Sequence, residues 1–78
     1  MIYFTVMYKL KKMGARIKSL RKEKGYTNSD QFAYEKNIAR AQYQRYENGS
    51  DLRFSTIVKL VKAFDMDLNE FFSKGFED

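Results

Sequence analysis

The spacing of apolar residues along the chain predicts a succession of short helices. In the first, four apolar residues recur at intervals of three, four and three, which places them on one helix face. They are Leu10, Met13, Ile17 and Leu20. Gly25 follows a basic last turn and is typical of a helix end. Gly14 interrupts the pattern and disfavours helix upstream of it.

A second short helix and a turn follow. Its N-cap candidates are Thr27, Asn28 and Ser29, since short polar side chains accept hydrogen bonds from free amides. Phe32 and Ala33 supply its apolar contacts. Asn37 is the expected end, because asparagine tolerates a left-handed backbone. The segment from Lys36 to Ala39 then has the length of the turn in a helix-turn-helix.

Three further helices complete the predicted domain. The third runs from about Arg40 to Asn48, and its expected inward residues are Ala39, Tyr43 and Tyr46. The fourth presents one broad apolar face: Phe54, Ile57, Val58, Val61 and Phe64. The fifth begins at Asp67, which forms a capping box with Glu70, and its core residues are Leu68, Phe71 and Phe72. The pattern thus predicts an all-α domain of five helices with no sheet.

The N-terminal residues 1–12 are assigned to an extension and residues 13–78 to the domain. Residues 2–8 favour a strand by composition, and three states stay open: pairing with a second copy, an extension of the first helix, or disorder. Their apolar side chains exceed what a monomer usually exposes in one patch. We therefore expect this segment to contribute to self-association rather than to the core.

Charge is unevenly distributed along the chain. The net charge is +5, which favours an anionic partner such as a nucleic acid. Residues 9–24 hold eight basic side chains and a single acidic one, Glu23, whereas the segment after Phe64 is acidic. The molecule should therefore have a positive end and a negative end.

Composition also narrows the possible classes of protein. The chain has no cysteine and no histidine, so it lacks thiolate ligands and the commonest general base. No cluster of metal ligands and no nucleophile–base pair is visible, and we expect neither an enzyme nor a cofactor. No apolar stretch is long enough to cross a membrane, and we expect a cytoplasmic protein.

Several motifs, in this order, resemble the Xre family, the helix-turn-helix type of the phage Cro and CI repressors. The matching segments are residues 16–25 (RIKSLRKEKG), Phe32-Ala33, residues 45–49 (RYENG), residues 57–66, and residues 68–72 (LNEFF). The resemblance extends from Met13 to Phe72. Its details are similar to a branch common in Bacteroidetes bacteria. It implies a lambda-repressor-like fold with the helix-turn-helix at helices 2 and 3.

The resemblance also implies roles for individual side chains. In this family the third helix lies in the major groove of double-stranded DNA. The matching base-reading positions are Arg40, Ala41, Gln44 and Arg45. The matching phosphate-binding positions are Asn28, Ser29, Asn48 and Arg53, with Gln42 as a further candidate. Arg21 and Glu47 match a structural ion pair that joins helix 1 to the end of helix 3.

Three positions depart from the family pattern. The turn after Gly25 is one residue longer than usual. Lys36 stands where the family often has a core leucine, so Tyr34 is expected to fill that space. Ala39 replaces the usual Ser or Thr before the third helix, which removes a cap worth about 1 kcal/mol.

These features favour a bacterial or phage transcriptional regulator, repressor-like, bound as a homodimer to a pseudo-palindromic operator. Two alternatives stay open at this point. One is an antitoxin or restriction-modification controller that regulates its own operon, with a toxin as a possible protein partner. The other is a protein-interaction module that uses the same fold without reading DNA.

Overall fold

The computed structural model describes residues 2–77, which form five α-helices and no strand in that range. The helices are α1 (Ile2–Glu23), α2 (Ser29–Glu35), α3 (Arg40–Glu47), α4 (Phe54–Ala63) and α5 (Leu68–Phe72). The prediction of an all-α, five-helix domain is confirmed.

A mainly aromatic core joins the helices. Phe32 of α2 lies at its centre, with its ring stacked on that of Phe64 at 5.1 Å between centroids and tilted against that of Tyr43 at 5.2 Å. All three side chains are fully buried. Ile17 and Phe71 close the core from α1 and α5. Burial of large rings compensates for the small size of the domain, because each ring removes a large apolar area from water.

Helix α1 is continuous through Gly14, so residues 2–8 extend the first helix, which is one of the three states left open for them. A Cβ added at Gly14 would lie 2.5 Å from the carbonyl oxygen of Glu47 and 2.8 Å from the amide nitrogen of Gly49. Glycine is therefore required because the backbone of α1 touches the C-terminal end of α3. The free energy gained from this contact outweighs the cost of placing glycine inside a helix.

Helix α1 also holds α5, through a contact that the sequence pattern does not reveal. Arg16 is buried, and its Nε and Nη2 donate to the carbonyl oxygens of Phe71 at 2.9 Å and Glu70 at 3.1 Å. Both carbonyls belong to the last turn of α5, where the carbonyl of Glu70 also accepts from the amide of Ser73 at 3.2 Å. A buried guanidinium satisfies them and complements the negative end of the helix dipole.

Four side chains expected inside lie outside. Ala39 precedes α3 with an extended backbone and is exposed. Phe54 is 64% exposed, because it begins α4 before that helix reaches the core, and Phe72 is 43% exposed beside the buried Phe71. Tyr34 is 85% exposed. It does not fill the space at Lys36, since Phe32 and Ala33 occupy the inner face of α2 and Ile38 packs beside them.

The predicted helix ends at Asn37 and Asp67 are confirmed. Asn37 has a φ of 60°, the left-handed conformation expected of it, and Asp65 adopts a similar one at 58°. Asp67 and Glu70 form a complete capping box at the start of α5. Ala39 makes no side-chain cap at α3, so the orientation of α3 depends on its tertiary contacts.

We expect Gly14→Ala to destabilise the domain by at least about 1 kcal/mol, although alanine favours a helix. The added methyl would separate two backbones that cannot move independently. Thermal unfolding followed by circular dichroism measures the effect. The exposed Ser19→Ala in the same helix is the matched control and should leave the melting temperature equal or higher. A stabilised Gly14→Ala variant would contradict the backbone contact.

Candidate nucleic-acid interface

Helices α2 and α3 form a helix-turn-helix with one polar face exposed. Tyr43 and Tyr46, one turn apart, bury the inner side of α3. The opposite side is exposed and consists of the four residues proposed to read bases: Arg40, Ala41, Gln44 and Arg45. The structure therefore brings these four together on one accessible surface.

The start of α2 holds two of these side chains. The Nε atom of Arg40 lies 3.2 Å from Oδ2 of Asp30 in an exposed salt bridge. The Nε2 atom of Gln44 donates to Oγ of Ser29 at 3.2 Å and to Oδ1 of Asp30 at 3.4 Å. The N-terminal turn of α2 is thus joined to α3 by a salt bridge at Arg40 and by hydrogen bonds at Gln44.

Asp30 is a member of this surface to which the family resemblance assigned no role. Its carboxylate contacts both Arg40 and Gln44, which are ten and fourteen residues away in the chain. A signal existed in the sequence, since the tight turn from Lys36 to Ala39 must bring the starts of α2 and α3 close together. Which side chains then meet depends on the angle between the helices, which the sequence pattern does not contain.

Arg45 is held within its own helix. Its Nη2 donates to Oε1 of Gln42 at 3.0 Å. Gln42 also lines a cleft of about 500 Å³ together with Lys36 and Lys59. A phosphate-binding candidate therefore lies between a base-reading candidate and two basic side chains.

The other phosphate-binding candidates lie at helix ends, before and after α3 in the chain. Asn28 is the N-cap of α2, and its Oδ1 accepts from the amides of Asp30 at 2.8 Å and Gln31 at 3.4 Å. Asn48 is the exposed C-cap of α3, and Arg53 is the exposed N-cap residue of α4. Polar groups thus precede and follow the exposed face of α3.

Arg21 and Glu47 form a nearly buried salt bridge. The Nε atom of Arg21 lies 2.8 Å from Oε2 of Glu47, and the two side chains are 5% and 10% exposed. Arg21 also donates to the carbonyl oxygen of Tyr26 at 2.8 Å. The hydrogen bond to Glu47 raises the pKa of the guanidinium. The pair fixes α1 to the last turn of α3, close to the Gly14 contact.

The Tyr43 hydroxyl lies in this region without a hydrogen-bond partner among the described residues. Burial raises the pKa of this phenol, so it is neutral at physiological pH. Tyr43 therefore contributes its ring to the core.

A comparison with known protein families agrees with this geometry. The helix-turn-helix family model matches residues 17–71, well over half of the chain. The chain belongs to the Cro/CI-type helix-turn-helix family. Membership makes it a DNA-binding regulator in general terms. No curated protein and no solved structure matched the chain in the corresponding searches.

We expect Arg21→Ala to destabilise the protein by about 3 kcal/mol, because it leaves the nearly buried Glu47 without its partner. The exposed neighbour Lys22→Ala should change stability by less than about 0.5 kcal/mol. Urea unfolding of both variants gives the two free energies.

A double variant separates lost charge pairing from lost packing. In Arg21→Ala/Glu47→Gln no unpaired charge is left, so the destabilisation should be smaller than the sum of the single effects. Equal urea midpoints for Arg21→Ala and Lys22→Ala would show that the ion pair does not stabilise the protein.

Proposed function

We propose that this protein is a sequence-specific transcriptional repressor that binds double-stranded operator DNA through α3. The observation that carries the proposal is the exposed polar face of α3, whose arginine and glutamine side chains are already hydrogen-bonded to oriented partners. Side chains of this kind on a helix that fits the major groove are suited to reading base edges.

The contact between Arg40 and Asp30 suits the recognition of guanine. It engages Nε of the guanidinium, which leaves both terminal nitrogens available. Those two nitrogens can donate in parallel to N7 and O6 of guanine. Asp30 would thus orient Arg40 rather than compete with the base for it.

Gln44 and Ala41 extend the same surface by a different chemistry. A glutamine amide can pair with the N6 and N7 edge of adenine, and an alanine methyl can contact the methyl of thymine. Arg45 supplies a second guanidinium further along α3. Ala41 has no polar group, so it selects by shape alone.

The candidates that flank α3 suit the phosphate backbone. Asn28 and Ser29 mark the amino end of α2, where the helix dipole favours an anion. Asn48 lies at the carboxyl end of α3 and Arg53 at the amino end of α4. Contacts of this kind position a helix in the groove without reading sequence.

The short length of α3 supports binding as a homodimer. Its eight residues extend over about 12 Å, so one copy reaches only a few base pairs. Two copies related by a two-fold axis would read half-sites one helical turn, about 34 Å, apart. We therefore propose a pseudo-palindromic operator.

Arg45→Ala and Arg53→Ala test whether base reading and phosphate binding are separate. Arg45→Ala should cost about 1–3 kcal/mol on a preferred duplex and less on a scrambled one, because it removes a base contact. Arg53→Ala should weaken both duplexes equally and lower the salt slope by about 1. Fluorescence anisotropy across a salt series measures all four affinities. Equal losses for both variants on both duplexes would make Arg45 a phosphate contact only.

Asp30→Asn tests the proposed orienting role of the carboxylate. Removing a negative charge from the interface should tighten binding to scrambled DNA. The preference for the selected duplex should fall by about tenfold, since Arg40 loses its charged partner. The same anisotropy titrations give both affinities.

Asp65→Asn makes the same change of charge in the turn before α5, where asparagine tolerates the left-handed backbone. It should leave the preference unchanged. If both variants alter binding alike, net charge alone explains the effect and Asp30 has no orienting role.

A further inference from the structure

The first two turns of α1, residues 2–8, form an apolar helix that the rest of the molecule leaves largely uncovered. We call this segment the N-terminal arm. Its large side chains are exposed to these extents: Ile2 83%, Tyr3 77%, Phe4 73%, Val6 47%, Met7 44% and Tyr8 40%. No residue of the arm is charged. Burying it would therefore require no removal of water from an ion.

Apolar side chains lie on opposite sides of the arm. At 100° per residue, Ile2 and Val6 continue the stripe that carries Met13 into the core, whereas Phe4 and Tyr8 lie on the opposite side. Such a helix is stabilised when more than its core-facing side is covered. Within residues 2–77, no helix is long and apolar enough to span a membrane.

A groove lies beside the arm. Its walls are mainly apolar, from Val6 and Leu10 of α1, Ile57 of α4, Phe72 and Phe76, and its volume is about 500 Å³. Thr5 and Lys9 of α1 also line it. Met13 at its floor belongs to the hydrophobic core. A side chain that entered the groove would therefore extend the core without a break.

We propose that the N-terminal arm of a second copy of this chain occupies the groove, so that two arms and two grooves form a two-fold dimer interface. A two-fold interface requires one patch that complements itself. The chain meets this requirement, because a projecting apolar helix and an apolar groove share the side chain of Val6. An unrelated partner would need to supply both complementary shapes.

The exposed apolar area is sufficient for such an interface. Taking about 200 Å² for each aromatic side chain, the exposed parts of Tyr3, Phe4 and Tyr8 amount to about 400 Å². Stable interfaces bury about 800 Å² on each partner. Ile2, Met7 and the walls of the groove supply area of the same order. The arm alone already approaches the largest patch that a typical monomer exposes.

The inference rests on the proposed function in one respect, because a protein needs two copies to read the two half-sites of an operator. Its test uses no DNA, so a failure to bind DNA and a failure to dimerise are separate results. Analytical ultracentrifugation of the full chain at concentrations up to about 100 µM detects a dimer whose dissociation constant is about 100 µM or lower. Tyr3→Glu and Val6→Glu each place a charge in the proposed interface, and we expect at least a tenfold weaker dimer for both.

Tyr34→Glu is the matched control, because Tyr34 is an equally exposed tyrosine outside the patch. It should leave the dimer unchanged. Melting curves should show all three variants folded, since both arm positions are substantially exposed in the single chain. A wild-type chain that stays monomeric, or a dimer unaffected by both arm variants, overturns the proposal. A monomer that co-sediments with vesicles of phosphatidylcholine and phosphatidylserine overturns it in favour of a membrane surface.

Discussion

The close approach of Gly14 to the end of α3 is the contact on which the placement of α3 depends. At this point the backbone of α1 touches the carbonyl of Glu47 and the amide of Gly49 with no side chain between them. The side-chain carboxylate of the same residue, Glu47, forms the salt bridge with Arg21. Backbone contact fixes the distance between α1 and α3, and the planar guanidinium fixes the rotation. Since α3 has no side-chain N-cap, its exposed face is oriented from its C-terminal end.

This anchoring explains how a short polar helix presents ordered side chains. Tyr43 and Tyr46 bury one side of α3, and the start of α2 holds Arg40 and Gln44 on the other side. Side chains that are already oriented lose less conformational freedom when a ligand binds. In the proposed function, the carboxylate of Asp30 orients Arg40 on the DNA-facing surface. Its negative charge at the same time weakens the attraction of that surface to DNA phosphates.

Local patterns predicted the helices because the apolar spacing and the end signals agree with the fold. Asn37 and Asp67 show this, since the left-handed backbone of Asn37 and the capping box of Asp67 with Glu70 depend only on residues nearby in the chain. Contacts between segments that are distant in the chain were harder to predict from the sequence. Gly14 looked unfavourable in isolation, and the burial of Arg16 against the end of α5 had no local signal. The exposure of Tyr34 also depended on how α2 packs rather than on its sequence.

Parts of the candidate site were predictable for a similar reason. The family resemblance assigned the exposed positions of α3, and their exposure follows from the two buried tyrosines one turn apart. Asp30 was missed because its partners are chosen by the crossing angle of α2 and α3. The N-terminal arm was singled out by its composition, but its helical state required the continuous geometry through Gly14.

The central claim is that α3 reads base sequence, and selection of bound duplexes from a random DNA library by the wild-type protein tests it most directly. The account predicts enrichment of one short motif, repeated as an inverted pair with centres about one helical turn apart. Guanine should be prominent in each half, as the arginines of α3 require. Recovery of duplexes with no common motif, at affinities that depend only on salt, would contradict it.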